Sequence, residues 1–128
     1  MKILAAIDGS LESEKVTQEL LKFPKSDITV VNVVDITLYN AQIPENAERV
    51  AYNAIEDQIK RLQDKHNVDY RIEFGYPKTI IASDLPNELD VDLIVLSKTG
   101  MNAFEKIFMG STANYVATHA DKSVLIVA

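Results

Sequence analysis

The sequence predicts an α/β fold: one doubly wound domain, with a five-stranded parallel sheet and helices on both faces. Three observations lead to it. Five short apolar runs are spaced along the chain. The intervals between them carry the periodicity and caps of helices. Several of the runs lack the polar alternation that a half-wet sheet shows, as expected of parallel strands buried on both faces. Strands alternating with helices imply right-handed crossovers. With 128 residues and no internal repeat, linker or low-complexity tract, the chain reads as one domain, 1–128.

The first run, Ile3–Ile7, stops at Asp8. Lys2 before an apolar stretch resembles the start of a secretory signal, but the stretch is too short and no cleavage site follows, so a buried first strand is expected. In the next interval Leu11, Val16, Leu20 and Phe23 are assigned to one helical face; Ser10 or Ser13 caps the start and Pro24 follows the end. The second run, Ile28–Val34, is mostly β-branched and suits a strand. Asp35–Pro44 keeps apolar residues without a period and reads as a loop. The strongest helix spans Glu45–Lys65, where Ala47, Val50, Ala51, Ala54, Ile55, Ile59 and Leu62 form a stripe. Pro44 stands at its entrance, with Glu45 and Glu48 in the first turn, where the helix dipole favours anions. Tyr70–Phe74 alternates, which marks an edge strand. A shorter helix covers Lys78–Leu85 and is interrupted by Pro86. Leu93–Leu96 is the fourth strand and Lys98–Met109 is irregular. A last helix covers Ser111–Ala120, with Val116 and Ala120 inward, before a fifth strand at Val124–Val127.

Composition excludes several classes of function. Hydrophobic residues are 47% and charged residues 25%, values of a soluble globular protein able to bury a core without crosslinks. The chain has no Cys, which removes disulfides, thiolate metal sites and a Cys nucleophile. A net charge of -6 argues against binding nucleic acid through its phosphates. No segment is apolar for long enough to span a membrane, and the cytoplasm is the expected compartment.

A strand order of 3-2-1-4-5 reverses between strands one and four, and ligands of open α/β sheets bind at such a switch point. The residues leaving those strands are Asp8-Gly9-Ser10 and Ser97-Lys98-Thr99-Gly100. Asp8 either accepts from ribose hydroxyls or holds a metal ion, or it caps a turn. Gly100 and Gly110 bracket a loop, and Gly110-Ser111-Thr112 opens either a phosphate-binding helix or simply a capped one. Lys98 and Lys106 supply local positive charge or are solvated. The Walker and dinucleotide glycine motifs are absent, as is G-x-S-x-G. His66, where a cation suits the end of the second helix, and His119 read as structural or exposed. No metal-ligand spacing and no catalytic set are found.

Together these pieces resemble the universal stress protein family over essentially the whole chain. The resemblance rests on Ala6-Ile7-Asp8-Gly9-Ser10, Val31-Asn32-Val33-Val34-Asp35, Gly75-Tyr76-Pro77, Asp92-Leu93-Ile94-Val95-Leu96, Gly100-(nine residues)-Gly110-Ser111 and Val124-Leu125-Ile126-Val127. The ATP-binding branch carries G-2x-G-9x-G-[S/T]; here Ser97 stands in place of the first glycine. If that position needs positive φ, a Cβ costs affinity; if it needs only a small residue with an N–H, Ser serves. The resemblance implies ATP, with Mg²⁺. Asp8 would hold the ribose or the metal–phosphate region, and Ala6, Ile7 and Val33 the adenine. Gly100, Gly110, Ser111 and Thr112 would bind phosphates and ribose, with Leu96, Ser97 and Thr99 completing the set. It also implies a homodimer through Val124–Val127. A response regulator does not fit, since strand three ends in Phe74-Gly75. Nor does a flavodoxin, whose phosphate loop would have to be Asp8-Gly9-Ser10-Leu11-Glu12, too acidic for that task. Two functions follow: a stress or signalling protein that binds ATP with slow or no hydrolysis, since no general base or arginine finger is evident, or a dimeric module that acts through protein partners without nucleotide.

Overall fold

The structure, a computed structural model, describes residues 1–40, 42–99 and 109–128. Five strands form one sheet in the order β3-β2-β1-β4-β5. They are β1 (Lys2–Ala6), β2 (Asp27–Asp35), β3 (Asn67–Gly75), β4 (Leu93–Ser97) and β5 (Ser123–Val127), and every neighbouring pair is parallel. This is the order and direction the sequence predicts. Ile3 pairs with Ile28 on one side and Leu93 on the other, so β1 is the central strand.

Strand alternation divides the core into two layers. Ile3, Ala5 and Ile7 face α1 (Leu11–Leu20) and α2 (Ala47–Gln63). Leu4 faces the opposite side, with the helical segment after β3 and with α5 (Ser111–His119). Helices therefore cover both faces. Ile55, Ile59 and Leu62 of α2 are buried in the first layer, each contributing about 1.5–3 kcal/mol by area removed from water.

Several elements differ from expectation. Ser10 caps α1, its hydroxyl accepting from the Ser13 N–H at 3.1 Å. Leu11, however, is 88% exposed, while Ser13, Val16, Thr17 and Leu20 turn inward. Five residues of helix rotate by roughly 500°, so Leu11 and Val16 stand about 140° apart and cannot share a face. Val50 and Ala54 of the α2 stripe are exposed. The Asp35–Pro44 connection contains one 3-10 turn, Ile36–Leu38, which Asp35 caps by accepting from the Thr37 N–H at 2.9 Å.

Pro86 does not end the helical segment after β3. That segment runs as α3 (Pro77–Thr79), a π-helical turn (Ile80–Asp84) and α4 (Leu85–Leu89). Pro86 sits in the first turn of α4, where a missing N–H is no loss. In the π turn the Leu85 N–H reaches back to the Ile80 carbonyl, and this wider winding relieves the clash a Pro ring makes with the preceding turn. The segment stops at Asp90, which adopts a left-handed conformation with φ 50°. β3 is an edge strand, as its alternation predicts. β5 is half-buried along Val124–Val127 rather than fully buried.

Candidate functional site

β1 and β4 are neighbours, yet the chain leaving β1 enters α1 on one face while the chain leaving β4 leads to α5 on the other. This divergence opens a crevice of about 880 Å³ at the carboxyl ends of the strands. Ala6, Ile7, Asp8, Val33, Leu96, Ser97, Thr99, Gly110, Ser111 and Thr112 all line it. Gly100 and Lys106 lie outside the described residues. Val50 and Ala54, the exposed members of the α2 stripe, form part of the outer wall.

The turn after β1 is fixed by local chemistry. The Asp8 Oδ1 accepts from the Ser10 N–H at 2.9 Å, so Asp8 does cap the turn; its Oδ2 has no partner among the described residues. Gly9 has φ 85°, and a Cβ there would lie 2.6 Å from the Ala54 carbonyl oxygen. Only glycine lets this turn pack on α2. Gly9 and Asn32 are positions that reading for site chemistry passes over. Asn32 is buried, and its Nδ2 donates to the Ala51 carbonyl at 3.0 Å, tying β2 to the crevice wall. The signals are a Gly directly after a strand-ending Asp, and one amide inside a β-branched run.

At β4 the Ser97 hydroxyl donates to the Thr99 carbonyl at 2.7 Å. Its backbone lies outside the left-handed region, since Asp90 is the only non-glycine residue with positive φ among the described residues. The Lys98 N–H donates to Val127 and the Gly110 N–H to the Lys98 carbonyl, both at 2.8 Å. The Gly110 N–H, which the resemblance directs at phosphate, is thus committed to closing the stem of its own loop. Gly110 has φ -63° and ψ 160° and offers α5 no side-chain cap. The N–H groups of Ser111, Thr112 and Ala113 consequently have no partner among the described residues, and they carry the positive end of the helix dipole. Thr99 is only 6% exposed, and its hydroxyl has no partner among the described residues.

Among the described residues the charged ones that line the crevice are Asp8, Asp35 and Lys98. No His lines the crevice. His66 lies at the opposite end of the sheet and is not a cation resting on a helix dipole. It is 4% exposed; its Nδ1 accepts from the Ser26 N–H at 3.1 Å and its Nε2 donates to the Leu20 carbonyl at 2.8 Å. Those two partners require the neutral Nε2–H tautomer. His119 is exposed and stacks on Tyr115 at 3.9 Å. Among the described residues no group of three His, Asp or Glu is placed to hold a metal, and no crevice hydroxyl is paired with a base. Among the described residues the crevice combines apolar walls with a helix N-terminus.

A doubly wound α/β domain with a crevice at its switch point is the class defined by this geometry. The chain belongs to the universal stress protein family, which it matches over residues 1–128. A universal stress protein of Staphylococcus haemolyticus is 33% identical over 98% of this chain and 82% of the relative. Among solved structures, the universal stress protein UspA from Lactobacillus plantarum superposes with a TM-score of 0.82 at 24% identity, covering 100% of this chain and 97% of that one. A universal stress protein from Archaeoglobus fulgidus, solved in complex with dAMP, has a TM-score of 0.70 at 19% identity, covering 100% and 98%. At such identities these two structures share the fold. No helix among the described residues is long and apolar enough to cross a membrane.

Proposed function

We propose that this chain is a cytoplasmic stress-response protein that binds an adenine nucleotide in the crevice between β1 and β4, as a ligand rather than as a substrate for rapid hydrolysis. The observation that carries the reading is the convergence at one switch point of an apolar wall, the unpartnered N–H groups of α5 and the Asp8 carboxylate. The dAMP complex of the Archaeoglobus fulgidus protein supports it. The base would lie against Ala6, Val33 and Leu96, the ribose hydroxyls would donate to Asp8, and phosphate would sit on the first turn of α5. ATP with Mg²⁺ is the form the sequence suggests. Asp8 offers the metal one carboxylate, enough for an ion otherwise held by water and phosphate oxygens; a bound Mg²⁺ would screen phosphate charge there. With no base beside a crevice hydroxyl, occupancy would act by favouring one conformation or partner.

Thermal melting and isothermal titration with AMP, ADP and ATP, each with and without Mg²⁺, test the reading. A ligand at a hundred times its Kd adds about 2.7 kcal/mol to stability, a clear rise in Tm. Neither heat nor a shift with any adenine nucleotide would leave the protein-interaction reading, which the exposed Leu38 and Val50 at the crevice rim favour. Gly110→Val should remove binding while keeping the fold: φ -63° with ψ 160° suits a β-branched residue, whose side chain would crowd the approach to α5. Wild-type affinity in the folded variant would place the phosphate elsewhere.

A further inference from the structure

We propose that Tyr52 and Tyr70 form a modification site, where a one-electron oxidant joins the two rings into an intramolecular dityrosine that staples α2 to the β3 edge. This site is independent of what the crevice binds. The rings meet across the contact between α2 and β3, with centroids 4.8 Å apart and planes inclined at 49°, within the range packed aromatic pairs adopt. The fold sets both positions. Tyr70 stands between Val68 and Ile72 on the strand face that packs on α2. Tyr52 is half-buried against the same cluster. Among the described residues no other two tyrosines have their rings in contact. Tyr70 is 48% exposed on an edge strand, so an oxidant in solvent reaches one ring of the pair directly.

Composition favours the same chemistry. The chain has five Tyr but neither Cys nor Trp, so no thiol or indole competes to give up an electron. Met takes an oxygen atom and becomes a sulfoxide, which forms no link. Each phenol loses one electron to the oxidant and its hydroxyl proton to water. The two phenoxyl radicals couple through one ortho carbon of each ring, forming a C–C bond. The hydrogen on each of those carbons then moves to the ring oxygen, which restores two phenols. The net loss of two electrons and two protons is taken up by one hydrogen peroxide, acting through a peroxidase and leaving as two waters. The new bond closes residues 52–70 into a loop. It therefore restricts the unfolded chain as a disulfide does, and it holds an edge strand against local opening.

Treatment of the full chain, at low protein concentration, with a peroxidase and hydrogen peroxide tests the site. The expected result is blue dityrosine fluorescence in a band that runs as a single chain on a denaturing gel. Trypsin should release residues 50–60 joined to residues 66–71. Tyr70→Phe and Tyr52→Phe, which keep the ring and its packing, should each abolish that linked peptide, whereas Tyr39→Phe should leave it in place. The stapled protein should melt at a higher temperature than Tyr70→Phe treated in the same way. Dityrosine found only between chains, or mapped to Tyr39, Tyr76 or Tyr115 instead, would overturn the proposal. So would the absence of dityrosine under conditions that couple free tyrosine in a parallel sample.

Discussion

Ser97 stands where the resemblance expects the first motif glycine, and its backbone has no need of glycine. Its φ is not positive and its hydroxyl is tied to the Thr99 carbonyl. Ser97→Gly should therefore cost about 1 kcal/mol of stability, through a lost hydrogen bond and a looser unfolded chain, without raising nucleotide affinity. Urea denaturation and titration measure the two effects; a several-fold gain in affinity would mean that the liganded loop needs a conformation Ser resists. Residue types at the site are legible in the sequence because the turn after β1 and the start of α5 use local rules. What those residues are already bonded to is not legible. The Gly110 N–H looks available until its loop is seen to close on Lys98. His66 reads as structural or exposed, and what decides for structural, its bonds to Ser26 and Leu20, spans 40 and 46 residues.

At the scale of elements, α1 and α2 are joined by a polar clamp that no period announces. The Glu14 carboxylate accepts from both Arg61 guanidinium N–H groups at 2.6 and 2.7 Å and from the Gln58 amide at 3.2 Å. The Arg61 hydrogen bond, followed by its charge and the Gln58 bond, outweighs burial and holds the Glu14 carboxyl below its ordinary value of 4.5. A carboxylate with a folded pKa below its unfolded one stabilises fully at neutral pH. That contribution begins to fade as pH drops under 4.5 and is gone below Glu14's own lowered value. Both partners are partly solvated, so the pair contributes about 1 kcal/mol. Glu14→Gln should lose that amount at pH 7 and match the wild type in acid, as read by urea unfolding at both pH values; an equal deficit at both would remove the ion pair as its cause. The helices themselves are legible from spacing, except where spacing is overridden. Leu11 is outward because rotation forbids its assignment, and Pro86 is tolerated because the π turn before it makes room.

For the whole molecule, strand order and the crevice follow from alternation of elements and crossover handedness, which is why they are legible without any motif. What lies beyond the β5 edge is a matter of assembly. Among the described residues β5 pairs with β4 alone. The Val127 carbonyl accepts from the Lys98 N–H, so Val127 and Leu125 turn their backbone groups toward β4, and Val124 and Ile126 turn theirs outward. The side chains continue apolar surface to the rim on both faces, Leu125 and Val127 over the α1 side and Val124 and Ile126 over the α5 side. All four are half-buried. An apolar edge with open hydrogen-bonding groups and no Pro or inward charge is a template for another strand. A second β5 running antiparallel about a two-fold axis satisfies both edges and closes the assembly. We therefore expect a homodimer through Val124–Val127. Ile126→Pro removes an outward N–H, and Val124→Lys places a charge at the rim. Analytical ultracentrifugation should find the wild type dimeric and at least one variant monomeric, with circular dichroism showing that the variant keeps its helices. A wild type that sediments as a monomer at every concentration, or two folded variants that remain dimers, would move the interface away from this edge.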